Sequence, residues 1–186
     1  MSDPTEPVEE VLVPEDARVV LSAEAIAQRR AELAREISRD YAGRELLLLC
    51  VLKGSIPFFA DLARELTVPV HFGCIGLSSY GSGTDSSGEV DLTVDLVEDV
   101  SDRQVLVVED IVDSGRTLAR LRQLLEARGP ESLRVVALLD KPSRRCVDVV
   151  VDYVGFTIPD EFVVGYGLDH AERFRNLPFV MALERA

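Results

Sequence analysis

Two adjacent acids and a Ser-Gly-Arg-Thr turn stand together near the middle of this chain. Glu109 and Asp110 come first, Asp113 follows, and the turn occupies residues 114–117. The turn opens a stretch with a helical apolar pattern, so free backbone N–H groups and the positive end of a helix dipole would face a phosphate there. The carboxylates can accept hydrogen bonds from ribose hydroxyls. This stretch therefore predicts a pocket for a phosphorylated sugar.

The residue types of the turn suit that ligand. Gly115 lets the backbone approach an anion closely, and the hydroxyls of Ser114 and Thr117 can donate hydrogen bonds to it. An acidic pair alone could be a helix cap or a solvated loop charge. Its place directly before this turn favours a binding site instead.

The elements that would position these residues follow from the apolar pattern. Residues 105–108 form a β-branched and leucine run, which predicts a buried strand directly before the acids. Leu118, Leu121 and Leu125 share one helical face, which predicts a helix that begins at Thr117 and stops at Gly129. Other predicted strands cover residues 18–21, 46–52, 68–77, 92–97, 133–139, 149–156 and 162–164, and other predicted helices cover 22–41 and 56–66. This alternation predicts an α/β fold with a doubly wound, mainly parallel sheet, whose ligands bind at the C-terminal strand ends.

Length and composition indicate one cytoplasmic domain. Residues 17–186 would form its body, residues 1–16 a flexible acidic arm, and the Ser- and Gly-rich residues 78–92 a mobile loop. Twenty basic residues against 33 acids give a net charge of −13, which argues against nucleic-acid binding. Without an apolar leader or a run of membrane length, no membrane contact is expected. The three cysteines are expected to be buried, reduced thiols rather than zinc ligands.

Five motifs, in order, resemble those of the type I phosphoribosyltransferases, most closely the members that act on hypoxanthine and guanine. The stretch from 105 to 121 resembles the phosphoribosyl-pyrophosphate signature of that family. The other motifs are VLKGS at 51–55, SSYG at 78–81, LDKP at 139–142 and FTIPDEFVVGYGLD at 156–169. The resemblance, which covers residues 46–179, implies the type I fold with a small hood from the terminal segments, assembled as a homodimer or homotetramer.

The resemblance implies a purine-salvage transferase. A 6-oxopurine, hypoxanthine or guanine, would take the 5-phosphoribosyl group from phosphoribosyl pyrophosphate, which gives IMP or GMP and pyrophosphate. Mg²⁺ is the implied cofactor. The transition state should resemble an oxocarbenium ion, so that positioning and charge stabilisation would do most of the work.

Roles at the sugar and the pyrophosphate are also implied by the resemblance. Glu109 and Asp110 would hold the ribose hydroxyls and, with Asp169, shape the magnesium environment. Asp113 would act as general base, or as hydrogen-bond acceptor, for the N–H of the attacking purine. Phosphoribosyl contacts would come from Asp113, Ser114, Gly115, Arg116 and Thr117, and pyrophosphate contacts from Lys53, Gly54 and Arg175, with a strained peptide before Lys53.

The purine would be held by four further residues of the same resemblance. Lys141 would donate a hydrogen bond to the exocyclic oxygen, and Phe162 would stack on the ring. Val163 would offer backbone groups to the purine edge, and Asp169 would lie at the far end of the base.

The implied loop over the reacting centre departs from the family pattern. Ser79 and Tyr80 open this loop, which would close over the substrates and exclude water. No Lys or Arg occurs between Arg64 and Arg103. The loop therefore cannot neutralise pyrophosphate, and that task would pass to Lys53, Arg175, backbone amides and magnesium.

Two other functions stay open from the residues alone. A regulator that binds phosphoribosyl pyrophosphate without turnover would need a basic face for nucleic acid, which a net charge of −13 disfavours. A signalling receiver domain is suggested by VLVVED at 105–110 and by Lys141 before a proline. In a receiver, however, the acidic strand would open the domain instead of starting at residue 105, and labelling with acetyl phosphate would separate the two classes.

Overall fold

The computed structural model describes residue 14, residues 17–79 and residues 90–183. The predicted arm at residues 1–16 lies almost wholly outside this part, and so do residues 80–89 of the predicted loop. The strands within it are β1 (Arg18–Leu21), β2 (Leu46–Leu52), β3 (Val70–Ser79), β4 (Val90–Val94), β5 (Gln104–Val112), β6 (Ser132–Asp140), β7 (Tyr153–Thr157), β8 (Val163–Val164) and β9 (Val180–Ala182). The helices are α1 (Ala23–Asp40), α2 (Ile56–Glu65) and α3 (Arg116–Glu126), with a 3₁₀ turn at Pro142–Arg144.

Six strands form the central sheet in the order β4-β3-β2-β5-β6-β7. Every neighbouring pair is parallel except β3 and β4, which are antiparallel. The second sheet, in the order β1-β9-β8, is antiparallel and joins segments near both ends of the chain. The prediction of a doubly wound, mainly parallel sheet with a hood from the terminal segments is therefore confirmed.

Apolar side chains on both faces of the sheet explain why helices cover both. Strand β2 is buried along nearly its whole length, as a continuous leucine run in a parallel sheet should be. On one face α1 and α2 pack on Leu48 and Val108, and on the other α3 packs on Leu49 and Val107. None of the helices in the described part of the chain is long and apolar enough to cross a membrane.

Local signals set the helix boundaries close to their predicted places. The hydroxyl of Ser22 accepts a hydrogen bond from the amide of Ala25 and caps α1. Pro57 lies in the first turn of α2, where its missing N–H costs nothing. Gly43, after α1, has a φ of +76°, which a residue with a side chain rarely adopts.

Three predictions about the strands and cysteines were wrong in detail. Strand β5 does not stop before the acids but continues to Val112, because its pairing with β6 extends to Asp140. The predicted strand at 149–156 begins only at Tyr153. Of the cysteines only Cys50 is buried; Cys74 and Cys146 are exposed, although all three are free thiols.

Candidate active site

The carboxyl ends of the central strands surround a cavity of about 280 Å³. Parallel strands place their C-terminal ends on one edge of the sheet, where ligands of such folds bind. Strands β2, β3 and β5 and the start of α3 contribute the walls. The lining residues are Val51, Leu52, Gly54, Leu77, Glu109, Asp110, Ile111, Val112, Asp113, Ser114, Gly115, Thr117 and Leu118.

The acidic pair lies near the C-terminal end of β5, and both residues line this cavity. Glu109 is only 6% exposed. Burial first, and then the charge of Asp110, raise the pKa of Glu109 well above its usual value. Burial also raises the pKa of Asp110 to about 6, although the amide of Ile111 and the charge of Arg175 act in the opposite direction. The charged forms of this buried acid and its half-buried neighbour would be stabilised by a cation or by hydroxyl donors.

The turn after the acids has the backbone of an anion site. Gly115 has a φ of +83° and caps α3, so the first amides of the helix, which have no partner within it, belong to the segment that lines the cavity. The hydroxyl of Ser114 accepts a weak hydrogen bond from the amide of Arg116, at 3.4 Å. Ser114, Gly115 and Thr117 line the cavity, whereas the side chain of Arg116 is exposed and is not part of the wall.

The loop after β2 packs on the acids from the other side. Its Leu52–Lys53 peptide is cis. Gly54 has no room for a side chain, because a Cβ there would overlap the carboxylate of Asp110. Gly167, with a φ of +103°, packs in turn on the carbonyl oxygen of Gly54. The sequence motif included Gly167 but gave it no role, and only its close approach to Gly54 reveals one.

A second cavity, of about 200 Å³, adjoins the first. The two cavities share Asp110, Ile111 and Asp113. All four residues predicted to hold a purine line the second cavity, which is bounded by Asp110, Ile111, Asp113, Lys141, Phe162, Val163, Leu168 and Asp169. The four residues that the sequence predicted to hold a purine therefore lie together beside the first cavity.

Lys141 and Phe162 have surroundings that suit a flat polar ring. Lys141 is 6% exposed, and its Nζ donates a 2.6 Å hydrogen bond to the carbonyl oxygen of Glu161. An ammonium has three donors, so two stay available to a ligand. The ring of Phe162 meets that of His170 edge to face, with centroids 5.4 Å apart and planes at 84°. This contact with His170 holds the Phe162 ring in a fixed orientation.

The predicted pyrophosphate cations stand beside the cavities and do not line them. Arg175 pairs with Asp169 at 2.7 Å and donates to the carbonyl oxygen of Gly167 at 2.9 Å. The Nε of Arg175 is buried without a partner in the described structure. The exposed side chain of Lys53 lies 3.5 Å from Glu172, a weak contact that a ligand could replace.

Asp113 stands where the two cavities meet. Its Oδ1 accepts a 3.2 Å hydrogen bond from Nε of Arg144, and that guanidinium also lies 3.5 Å from Asp160. Sequence reasoning missed Arg144, since residues 143–148, which follow the LDKP motif, carried no predicted role in the site. The predicted loop residue Ser79 ends β3, and Tyr80 lies outside the described residues.

A glycine-containing turn after an acidic strand, next to a cavity lined by a lysine and a phenylalanine, is the arrangement expected of a phosphoribosyl transferase. The profile of the phosphoribosyl transferase domain family matches residues 18–171. The chain is 51% identical to the hypoxanthine phosphoribosyltransferase of Salmonella typhimurium, over 87% of this chain and 92% of that protein. It is 49% identical to the hypoxanthine-guanine phosphoribosyltransferase of Mycobacterium avium, over 97% and 92% of the two chains.

Solved structures agree with this likeness. A hypoxanthine-guanine phosphoribosyltransferase from Bacillus anthracis superposes with a TM-score of 0.86 and 45% identity, over 89% of this chain and 98% of that one. The hypoxanthine phosphoribosyltransferase of Trypanosoma cruzi gives a TM-score of 0.85 at 41% identity, over 91% and 97% of the two chains. The chain therefore belongs to the hypoxanthine-guanine phosphoribosyltransferase family.

Proposed function

We propose that this chain is a cytoplasmic purine-salvage enzyme that moves the 5-phosphoribosyl group from phosphoribosyl pyrophosphate to hypoxanthine or guanine. The products would be IMP or GMP and pyrophosphate. The observation that carries the proposal is the pair of adjoining cavities, one built for a phosphorylated sugar and one for a polar ring, which share Asp113. The relatives' names support the same assignment.

The first cavity would hold the phosphoribosyl group. The amides at the start of α3 and the hydroxyls of Ser114 and Thr117 would donate to the 5-phosphate. Glu109 and Asp110, which also line this cavity, would accept hydrogen bonds from the ribose hydroxyls. This orientation leaves the anomeric carbon near Asp113, at the junction of the two cavities.

The second cavity would hold the purine. Phe162 offers an apolar face for stacking, and Lys141 offers a charged donor to an exocyclic oxygen. The backbone of Val163 and the carboxylate of Asp169 would meet the other end of the ring. A base held in this way would direct one ring nitrogen toward Asp113.

Transfer would consist of one substitution at the anomeric carbon. The purine nitrogen forms a bond to that carbon while the bond to the pyrophosphate oxygen breaks, and Asp113 accepts the proton, or a hydrogen bond, from the attacking N–H. The acids near the ring would stabilise its developing positive charge. Lys53, Arg175 and the amide of Gly54 would receive the leaving pyrophosphate.

Magnesium fits the acidic pair. Glu109 is buried and Asp110 is half-buried, both have raised pKa values, and a divalent cation would favour their charged forms. No group of three or more metal-ligating side chains occurs in residues 17–79 and 90–183. The protein would therefore supply one or two carboxylates, with Asp169 nearby, and substrate oxygens would complete the coordination that this hard ion prefers. Bound magnesium would neutralise the negative charge of the pyrophosphate.

The assay that tests this function follows pyrophosphate release. With phosphoribosyl pyrophosphate and magnesium, hypoxanthine and guanine should each release one pyrophosphate per nucleotide formed, and replacement of magnesium by EDTA should abolish release. Nucleotide and pyrophosphate should appear in equal amounts, which excludes simple hydrolysis. Binding of phosphoribosyl pyrophosphate without any turnover of either base would instead indicate a ligand-sensing regulator.

We also propose that the chain forms a homodimer or homotetramer. Phe72 and Val94 lie on the sheet face that carries α2, yet they are 54% and 45% exposed, and Cys74 on the same face is exposed as well. An exposed apolar face of this kind is typical of protein contacts. Light scattering should give at least twice the mass of one chain, and Phe72→Asp should shift the population toward monomers. A monomeric wild type at micromolar concentration would contradict this proposal.

A further inference from the structure

The segment from Lys141 to Val149 supports the back of the phosphate-binding turn. The amides of Cys146 and Val147 both donate to the carbonyl oxygen of Ser114, at 2.9 and 3.2 Å. Gly115 lies against the same segment, since a Cβ on it would be 2.9 Å from the carbonyl oxygen of Val147. The position of the turn therefore depends on a segment that contributes only Lys141 to the cavities.

Arg145 is the side chain that joins this segment to both cavities. Its Nη1 donates to the carbonyl oxygen of Asp113 at 2.8 Å, and its Nη2 pairs with Oδ1 of Asp140. Both side chains are largely buried, 18% exposed for Arg145 and 13% for Asp140. One guanidinium thus binds the main chain of Asp113, the proposed general base, and the side chain of Asp140, which precedes the proposed purine-binding Lys141.

The two groups that Arg145 connects lie at the ends of neighbouring strands. Val112 of β5 is in register with Asp140 of β6, and the amide of Lys141 donates to the carbonyl oxygen of Val112 at 3.0 Å. Beyond these residues the strands end and the ladder offers no further hydrogen bonds. Arg145 adds a further link between the two strand ends, because it binds Asp113 after β5 and Asp140 at the end of β6.

We propose that Arg145 is a positioning residue that fixes the phosphate-binding turn relative to the purine cavity. The inference rests on the proposed function. Transfer between two substrates requires their reacting atoms to be held at near-attack distance, and a misplacement of about 1 Å can cost about 10²-fold in rate. Arg145 lines neither cavity, so it would act through Asp113, through Asp140 and through its packing on Gly115.

The role requires arginine rather than any cation. Two donors in a planar fork can reach Asp140 and the Asp113 carbonyl at once, whereas a lysine ammonium is a single point on a flexible stem. Lysine at this position would keep a partner for the buried Asp140 carboxylate. It would lose the simultaneous bond to Asp113.

Arg145→Lys is the variant that tests this role. We expect its melting temperature to stay close to that of the wild type, because Asp140 keeps a cation. KM for phosphoribosyl pyrophosphate should rise about tenfold and kcat should fall about tenfold, from the displaced turn, while KM for hypoxanthine should change much less. Partial unfolding would lower apparent kcat but would leave both KM values unchanged.

Arg128→Lys is the matched control. Arg128 follows α3 and pairs with Asp95 at 2.6 Å, away from both cavities. The Arg128→Lys variant should keep the kinetic constants of the wild type. If Arg145→Lys does not fold, the double variant Arg145→Gln with Asp140→Asn removes both buried charges and should show the same change in KM.

The outcomes separate this inference from the proposed function. Wild-type values of kcat and of KM for phosphoribosyl pyrophosphate in a folded Arg145 variant would overturn the positioning role. Inactivity of the wild type and of Arg128→Lys alike would overturn the proposed function instead. An equal rise of both KM values in Arg145→Lys would also count against the inference, because the turn would then not be the part displaced.

Discussion

Adenine should react at least about 10⁴-fold more slowly than hypoxanthine, in kcat/KM, because of Lys141. The Nζ of this residue already donates to the Glu161 carbonyl, which leaves two donors on a residue that lines the second cavity. A 6-oxopurine presents an oxygen that accepts a charge-assisted hydrogen bond from them. Adenine presents an amino group, so two donors would meet and both would be left unpaired. An unpaired buried polar group costs about 1–3 kcal/mol, and more when it is charged.

Lys141→Met separates this explanation from simple shape. Methionine has similar bulk and no donor, so activity on hypoxanthine should fall by about 10–10²-fold, which corresponds to the loss of a hydrogen bond from a charged group. Activity on adenine should not fall, since its amino group no longer meets a cation. Arg128→Met controls for the loss of a surface charge. If the wild type acted comparably on adenine and hypoxanthine, Lys141 would not be the residue that selects the base, and the enzyme would not be specific for 6-oxopurines.

Lys141 also shows what the sequence could and could not predict. A single lysine at a strand end is normally exposed, and only the resemblance of LDKP and the neighbouring motifs placed it in a purine site. The structure buries it to 6% exposure. Its ammonium donates to the carbonyl oxygen of Glu161, twenty residues further along the chain, and local sequence patterns do not predict such a contact.

Strand ends were the weakest part of the sequence prediction. The apolar pattern of β5 stops at Val108, so the acids were expected after the strand. In the structure its ladder with β6 continues through Glu109 to Val112. Backbone pairing decides where a strand ends. Charged residues can lie within the paired part of a strand when their side chains line a cavity, as Glu109 does. The opposite error occurred at 149–151, where apolar residues pack beside Gly115 or face solvent instead of forming a strand.

Long-range contacts explain the residues that were missed. The contacts of Asp113 with Arg144 and Arg145, and of Gly54 with Gly167, each join segments that lie far apart in sequence and meet only when the sheet is assembled. Sequence spacing predicts which side chains share a face of one element. It does not predict which loops lie side by side at the end of a sheet.

Asp113→Asn should slow transfer by about 10²-fold or more, the usual loss when a general base is removed. The two side chains are nearly isosteric, and Oδ1 can still accept the hydrogen bond from Arg144. Asp113 is 43% exposed in that ion pair, so the melting temperature should barely change. KM for phosphoribosyl pyrophosphate should stay within a few-fold of the wild-type value, because the amides and hydroxyls of the turn are intact. The measurement is single-turnover formation of IMP, which isolates the chemical step from product release.

Asp160→Asn is the matched control for this variant. Asp160 lies 3.5 Å from the same Arg144 guanidinium and is 42% exposed, yet it does not line either cavity. Loss of its charge changes the surroundings of Arg144 to a similar degree without touching the purine N–H. We therefore expect near wild-type transfer in Asp160→Asn. Equal losses in both variants would assign the effect to the electrostatics around Arg144, and wild-type transfer in Asp113→Asn would remove Asp113 from the mechanism.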